Sequence, residues 1–320
     1  MDATTPADAL ALWIASAGSE GPGGYEGVAD PRPELSASDL ALWEELIREQ
    51  CGLHFPDTRK RSLGRGLWQR MSLQGLTRYQ DYYNRVAPLP AHDPERRALA
   101  EALANGETSF FRHKPSFKVL SSRVLPALAE ERRRSGGPKS ITLWSAGCSS
   151  GEETYSMAMA ALTCPELHDF SVTVLGTDLN RRALYKARQG HYPARALAGV
   201  PDAYRRRFFV RSSSSSEEGV YSVNDELRSS VRFEVLWLNA PASGLLPWQD
   251  VIFCQNVVIY FRDDTRGDVV ERLGHSLAPD GCLFLGPGEM VGVDVPGLRA
   301  EWADGCVIHR RSRPVAPEQP

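Results

Sequence analysis

The sequence predicts a doubly wound α/β fold behind an all-α helical domain, with a small β-hairpin subdomain, and three observations carry that expectation. Helix-periodic apolar residues fill the stretch from Ser36 to about Asn105. Beyond residue 135, short apolar runs alternate with helical segments, the pattern of a parallel sheet with helices on both faces. The first of those runs leads through a glycine-bearing turn straight into a helix.

Residues 1–34 hold Gly18, Gly21, Gly23, Gly24 and Gly27 with little apolar periodicity, which predicts a mobile tail with one short helix over Ala9 to Ile14. Ser36 and Asp39 form a capping pattern, after which Leu40, Trp43, Leu46 and Ile47 recur on one face until Gly52. Asp57 can cap a second helix with the buried stripe Leu63, Leu67 and Met71. Thr77 and Gln80 open a third, carrying Tyr79, Tyr82, Tyr83 and Val86. Asp93 followed by Pro94 starts a fourth that runs to about Asn105. The second helix has a basic outer face of Arg59, Lys60, Arg61, Arg65 and Arg70, which reads either as a solvated polar face or as a docking surface for an acidic partner.

Strands are then expected at Ile141–Trp144, Val172–Leu175, Val231–Leu238, Asp250–Cys254, Cys282–Leu285 and Cys306–His309. Helices are expected at Glu152–Leu162, Asn180–Gln189 and Asp263–Leu277. The serine run Ser212–Ser216 is a loop tip, and Phe208–Val210 with Val220–Val223 can form a hairpin around it. The resulting division is a tail at 1–34, a helical domain at 35–105, a main domain at 106–312 with the β-subdomain at about 205–232, and a tail at 313–320.

Composition narrows the function. Lys plus Arg number 37 against 40 Asp plus Glu, a net charge of −3, which speaks against a uniformly basic nucleic-acid binder. Mean hydropathy is −0.33 and no apolar run reaches the roughly 18 residues of a membrane span. The first twenty residues carry Asp2 and Asp8 and no Lys or Arg, so no secretory leader is expected there. The six cysteines include no C-x-x-C pair, which argues against zinc and against a disulfide framework and predicts a reduced, cytoplasmic protein, with monomer as the default state.

The candidate chemistry lies in two strand ends. Trp144-Ser-Ala-Gly147-Cys-Ser-Ser-Gly151-Glu152-Glu153 joins strand, turn and helix N-terminus. Such a turn lets a ligand approach the backbone, but its glycines are four apart and lack the G-x-G-x-x-G fingerprint of dinucleotide binding. Two carboxylates in the first helical turn repel a pyrophosphate and suit a ligand bearing positive charge or hydroxyls, or they merely complement the helix dipole. Asp178, at the end of the next strand, is placed either to hold ribose hydroxyls or to cap the following helix. A nucleoside without a bound pyrophosphate, beside carboxylates, points to S-adenosylmethionine rather than NAD.

The ordered segments Glu107-Thr-Ser-Phe-Phe-Arg112, Ser145–Glu153, Gly176–Leu179, Phe253-Cys-Gln-Asn-Val-Val-Ile-Tyr-Phe261 and Ala278–Gly286 resemble the CheR-type chemotaxis methyltransferases over about residues 36–311. The resemblance implies a Rossmann-like domain that moves a methyl group from S-adenosyl-L-methionine to receptor glutamates, leaving S-adenosyl-L-homocysteine. It further implies that Thr108 and Arg112 line the methionine pocket and that Glu152 lies near the cofactor's amino group. Asp178 would hold the ribose, Ala146, Gly147, Leu238 and Asn256 would complete the cofactor site, and Tyr260 with Arg112 would serve catalysis. Arg59, Arg61 and Arg65 would face the partner, the acidic cytoplasmic helices of a chemoreceptor, with neither nucleic acid nor membrane insertion involved; the β-subdomain docks a receptor tail in some members. Two positions depart from the family: Leu236-Trp237-Leu238 stands where Asn-Leu is usual, with Asn239 as a substitute two residues on, and Gln255 replaces an Arg. These departures leave a catalytically weak signalling adaptor as the competing reading. A hydride-transferring dehydrogenase and a nucleic-acid methyltransferase are disfavoured by the missing phosphate fingerprint and the missing N/D-P-P-Y/F box.

Overall fold

The computed structural model describes residues 33–55, 59–90, 92–104, 106–212, 219–239, 246, 248–289 and 295–311. The expected helix near Ala9, the Asp57 cap, most of the serine run and the 313–320 tail lie outside the described residues.

Four helices open the chain: α1 (Ala37–Cys51), α2 (Lys60–Leu73), α3 (Tyr79–Val86) and α4 (Pro94–Leu103). The Ser36 hydroxyl accepts the Asp39 N–H at 3.1 Å, and Gly52 ends α1 in the left-handed region at φ 72°. Asp93 caps α4 in the same way, with Pro94 supplying a pre-set φ in its first turn. Thr77 does not cap α3: the helix begins one residue later than that pattern requires, behind Arg78, which makes no side-chain cap. On α2 the stripe Leu63, Leu67 and Met71 is fully buried. Gly66 lies on the same helix because α4 presses against it; a Cβ there would meet Leu103 Cδ2 at 2.6 Å and the Ala102 carbonyl at 2.9 Å.

A helical stretch with no clear signal in the sequence comes next: α5 (Lys114–Val119), a π turn (Leu120–Val124) and α6 (Leu125–Ser135). Pro115 and Pro126 hide it from a pattern search, yet each sits at a helix start where its missing N–H is tolerated.

The sheet domain contains β1 (Ser140–Ala146), α7 (Glu152–Leu162), β2 (Ser171–Asp178), α8 (Arg181–Gln189), β3 (His191–Pro193), α9 (Asp202–Phe208), β4 (Phe209–Arg211) and β5 (Val220–Val223). It continues with α10 (Asp225–Ser229), β6 (Val231–Val235), β7 (Gln249–Cys254), α11 (Asp263–His275), β8 (Leu277–Leu285), β9 (Leu298–Ala303) and β10 (Cys306–Arg311). Seven strands form one sheet in the order β6-β2-β1-β7-β8-β10-β9. It is parallel from β6 to β8, with Ser145 registered between Gly176 and Phe253. The expected parallel pattern stops there: β10 runs antiparallel to β8, and β9, an unforeseen strand with an exposed Trp302, closes that edge. The expected hairpin is a three-stranded sheet, β3-β5-β4, because His191–Pro193 pairs with β5.

Both faces of the large sheet are buried. One side packs Phe117, Leu125, Met157, Ala160 and Phe284 with the small subdomain. On the other, Trp144, Ile252 and Leu283 join α11 and the helical domain, including Trp43, Leu63 and Leu103, in one continuous core. All six cysteines are buried free thiols. Among the described residues, no helix is long and apolar enough to cross a membrane.

Candidate active site

Strand order reverses direction at β1, with β2 on one side and β7 on the other, and a cleft opens at their carboxyl ends. Gly147 forms part of its floor at φ 85°, where a Cβ would lie 2.5 Å from Val257. The Gly147 and Cys148 amides both donate to the Thr177 carbonyl, at 2.8 and 2.9 Å, so the turn is tied to the end of β2.

Asp178 lines the cleft and is itself held by backbone: Oδ2 accepts the Ser149 N–H at 2.8 Å and Oδ1 the Asn180 N–H at 2.8 Å. Burial pushes this carboxyl above the usual range, opposed by the amides that favour its anion. It does not cap α8. That role falls to Asn180, whose side chain accepts the Arg182 and Ala183 amides at 3.0 Å, and Asp178 is left at the cleft.

The two glutamates that open α7 diverge because successive helical residues lie about 100° apart. Glu152, expected near the ligand's amino group, is turned away from the cleft and accepts from the Ser150 hydroxyl at 2.8 Å. Glu153 lines the cleft instead, accepting from the Ser145 hydroxyl at 2.7 Å, and burial raises its carboxyl to about 7. Ala146 is likewise not a lining residue: it ends β1 inside the core shared with the helical domain.

Thr108 and Arg112 reach the cleft from a loop anchored by the aromatic pair between them. Phe110 packs edge-on to Tyr192 and Phe209, Phe111 packs on Phe117, and the Phe111 amide donates to Ser156 of α7 at 3.0 Å. The Arg112 guanidinium donates to the Glu107 carbonyl at 2.8 Å. Beyond β6, alternate side chains face the cleft: Leu236, Leu238 and also Asn239 line it, whereas Trp237 packs into the neighbouring core.

The lip after β7 carries Asn256, left-handed at φ 58°, and a single 3-10 turn over Val258–Tyr260. Both Asn256 and Tyr260 line the cleft, as does Gln255, whose amide donates to the Ser116 hydroxyl at 2.8 Å. Glu289, unremarked in the sequence, is 1% exposed and accepts backbone amides from this lip. The helical domain reaches over the same lip: the His54 amide donates to the Tyr260 carbonyl at 2.7 Å, and Leu53 bridges Phe261. Arg59, expected only on a docking face, lines the cleft with its guanidinium 3.9 Å from the Tyr260 ring centre. Arg61 and Arg65 stay exposed on α2, away from the cleft lining. Arg70 leaves the basic face altogether to pair with Glu95 at 2.6 Å.

Residues 106–299 match the family described as CheR methyltransferase, SAM binding domain, and residues 38–104 match CheR methyltransferase, all-alpha domain. Chemotaxis protein methyltransferase 2 of Vibrio cholerae is 32% identical, over 80% of this chain and 86% of that protein. The chemotaxis protein methyltransferase of Escherichia coli is 31% identical, over 81% and 86%. A probable biofilm formation methyltransferase, WspC, of Pseudomonas aeruginosa is 35% identical over 84% of this chain but only 61% of its own greater length.

Proposed function

The chain belongs to the CheR methyltransferase family, and on that premise we propose that it methylates glutamate side chains on the cytoplasmic helices of chemoreceptors. Its cofactor is S-adenosylmethionine, which supplies an electrophilic methyl group on a sulfonium when bound. The cleft fits that molecule. Gly147 leaves backbone bare for close approach, Asp178 is presented for two ribose hydroxyls, and Glu153 offers an anion to an ammonium. Leu179, Leu236 and Leu238 provide apolar wall for a purine, with Asn239 as a polar neighbour.

The observation that carries the proposal is that Tyr260, Arg112 and Arg59 line the same cleft as Asp178 and Glu153. A glutamate acceptor has an ordinary pKa of about 4.3 and arrives ionised, so no general base is required. Methyl transfer to a carboxylate annihilates charge, and a cleft walled by Phe117, Leu103 and Phe261 favours that by excluding water. Tyr260 can donate to one acceptor oxygen while the two arginines hold the anion at the mouth. Fixing a reactant in this way contributes up to about 7–11 kcal/mol in well-oriented systems.

The test is transfer of labelled methyl from S-adenosylmethionine to receptor-containing membranes, read as methanol released by alkali. Alkali frees methanol from a methyl ester and not from methylated nitrogen. Volatile label lost in Asp178→Ala is the expected result; cofactor binding without methanol release would sink the glutamate assignment.

A further inference from the structure

Among the described residues, no cation pairs with the buried Glu289. Its Oε1 accepts the Val257 and Ile259 amides at 2.9 and 3.4 Å, and its Oε2 accepts the Asn256 amide at 3.1 Å together with that of Gly286. A buried carboxylate is costly unless every lone pair is met, and here four amides meet it where a lysine or arginine would be usual. Three of those amides belong to the lip that bears Asn256 and Tyr260, and the fourth, that of Gly286, follows the end of β8. Asn256 is held on the lip in the left-handed region, which few residues besides glycine and asparagine adopt.

Resting on the reading of the cleft given above, we propose that Glu289 is the positioning residue of the reaction, fixing the 256–260 lip so that Asn256 and Tyr260 face the bound reactants. It has a second effect through space. Glu289 is one of the charges that hold the Glu153 carboxyl up, alongside burial, while the Ser145 hydroxyl and Arg112 pull it down. The Cys148 and Cys254 thiols also face this acid, and both are pushed up by burial and stay neutral. Glu153 must be ionised to hold an ammonium, so ligand affinity falls as pH drops through about 7. Removing the Glu289 charge lowers that midpoint.

Glu289→Gln keeps size but turns an NH₂ group toward two amide donors. In the full-length protein, hydrogen exchange at the 256–259 amides should rise by about tenfold or more, local to that segment. Turnover should fall by about tenfold while the acceptor KM stays within about twofold. The affinity for S-adenosylhomocysteine, measured by calorimetry between about pH 6 and pH 8, should decline only at lower pH than in the wild type. Glu289→Asp keeps the charge but not the reach, so it should slow turnover and leave the pH midpoint in place, which also serves if the Gln variant does not fold. Unchanged exchange and turnover in both variants overturn the proposal. So does a uniform loss of protection across the protein with no shift in midpoint, the signature of a merely structural acid. If the wild type transfers no methyl to carboxylates, the functional reading fails separately, and hydrogen exchange with the S-adenosylhomocysteine midpoint still judges Glu289.

Discussion

The two walls of the cleft are held in unlike ways. Along the strand ends, backbone groups take part in most of the fixing: Asp178 is held by the Ser149 and Asn180 amides, the Gly147 turn by the Thr177 carbonyl and the lip amides by Glu289, while Glu153 rests on the Ser145 hydroxyl. On the helical-domain side, Arg59 rests on the Phe55 and Tyr260 ring faces and on the His54 carbonyl at 3.3 Å, and Arg61 and Arg65 are exposed. Backbone amides cannot change rotamer, whereas a guanidinium on a flexible stem can. The first wall suits a small ligand of constant shape, and the second suits a carboxylate delivered on a large, variable partner.

Substitutions can break that contrast. Tyr260 stands where the walls meet, and Tyr260→Phe should lower kcat by about 100-fold, as for loss of one donor to a reacting oxygen. Its affinity for S-adenosylhomocysteine should stay within about twofold; equal losses in both would place Tyr260 on the cofactor wall instead. Arg59→Ala should raise the acceptor KM by about tenfold, the size of a partly desolvated cation–π contact and a charge lost together. Arg59→Lys should not restore it, because an ammonium does not stack as a planar guanidinium does. The smallest effect belongs to Arg61→Ala with Arg65→Ala: a few-fold rise in acceptor KM that disappears near 0.5 M salt, where screening shortens to about 4 Å. A salt-independent effect would place those residues in direct contact.

The strand-end wall was largely legible in the sequence because its signals are local. A glycine turn after an apolar run and an acid at the end of the next run locate Gly147 and Asp178 without any long-range information. The choice between Glu152 and Glu153 was not legible, since it depends on the phase of α7 against the sheet. Glu289 lies 33 residues from Asn256, and only the pairing of β7 with β8 brings its segment to the lip. The helical segment from Lys114 was obscured by its prolines, and β9 reads as a polar stretch because an edge strand keeps its charges in water. Arg59 was visible as a charge but not as a lining residue; its place follows from the Leu53–Phe261 bridge that draws the two domains together.

That bridge, with the core running from Trp43 through Leu63 and Leu103 to Trp144, Ile252 and Leu283, bears on how such a protein can diversify. The helical domain is no detachable adaptor that recombination could exchange for another recognition module. A graft would have to bring side chains matching one whole face of the sheet, or leave that face wet and the cleft without its second wall. On the proposed docking role of α2, new receptor preferences would accumulate as single replacements on its outer surface, beneath which the inherited interface stays closed.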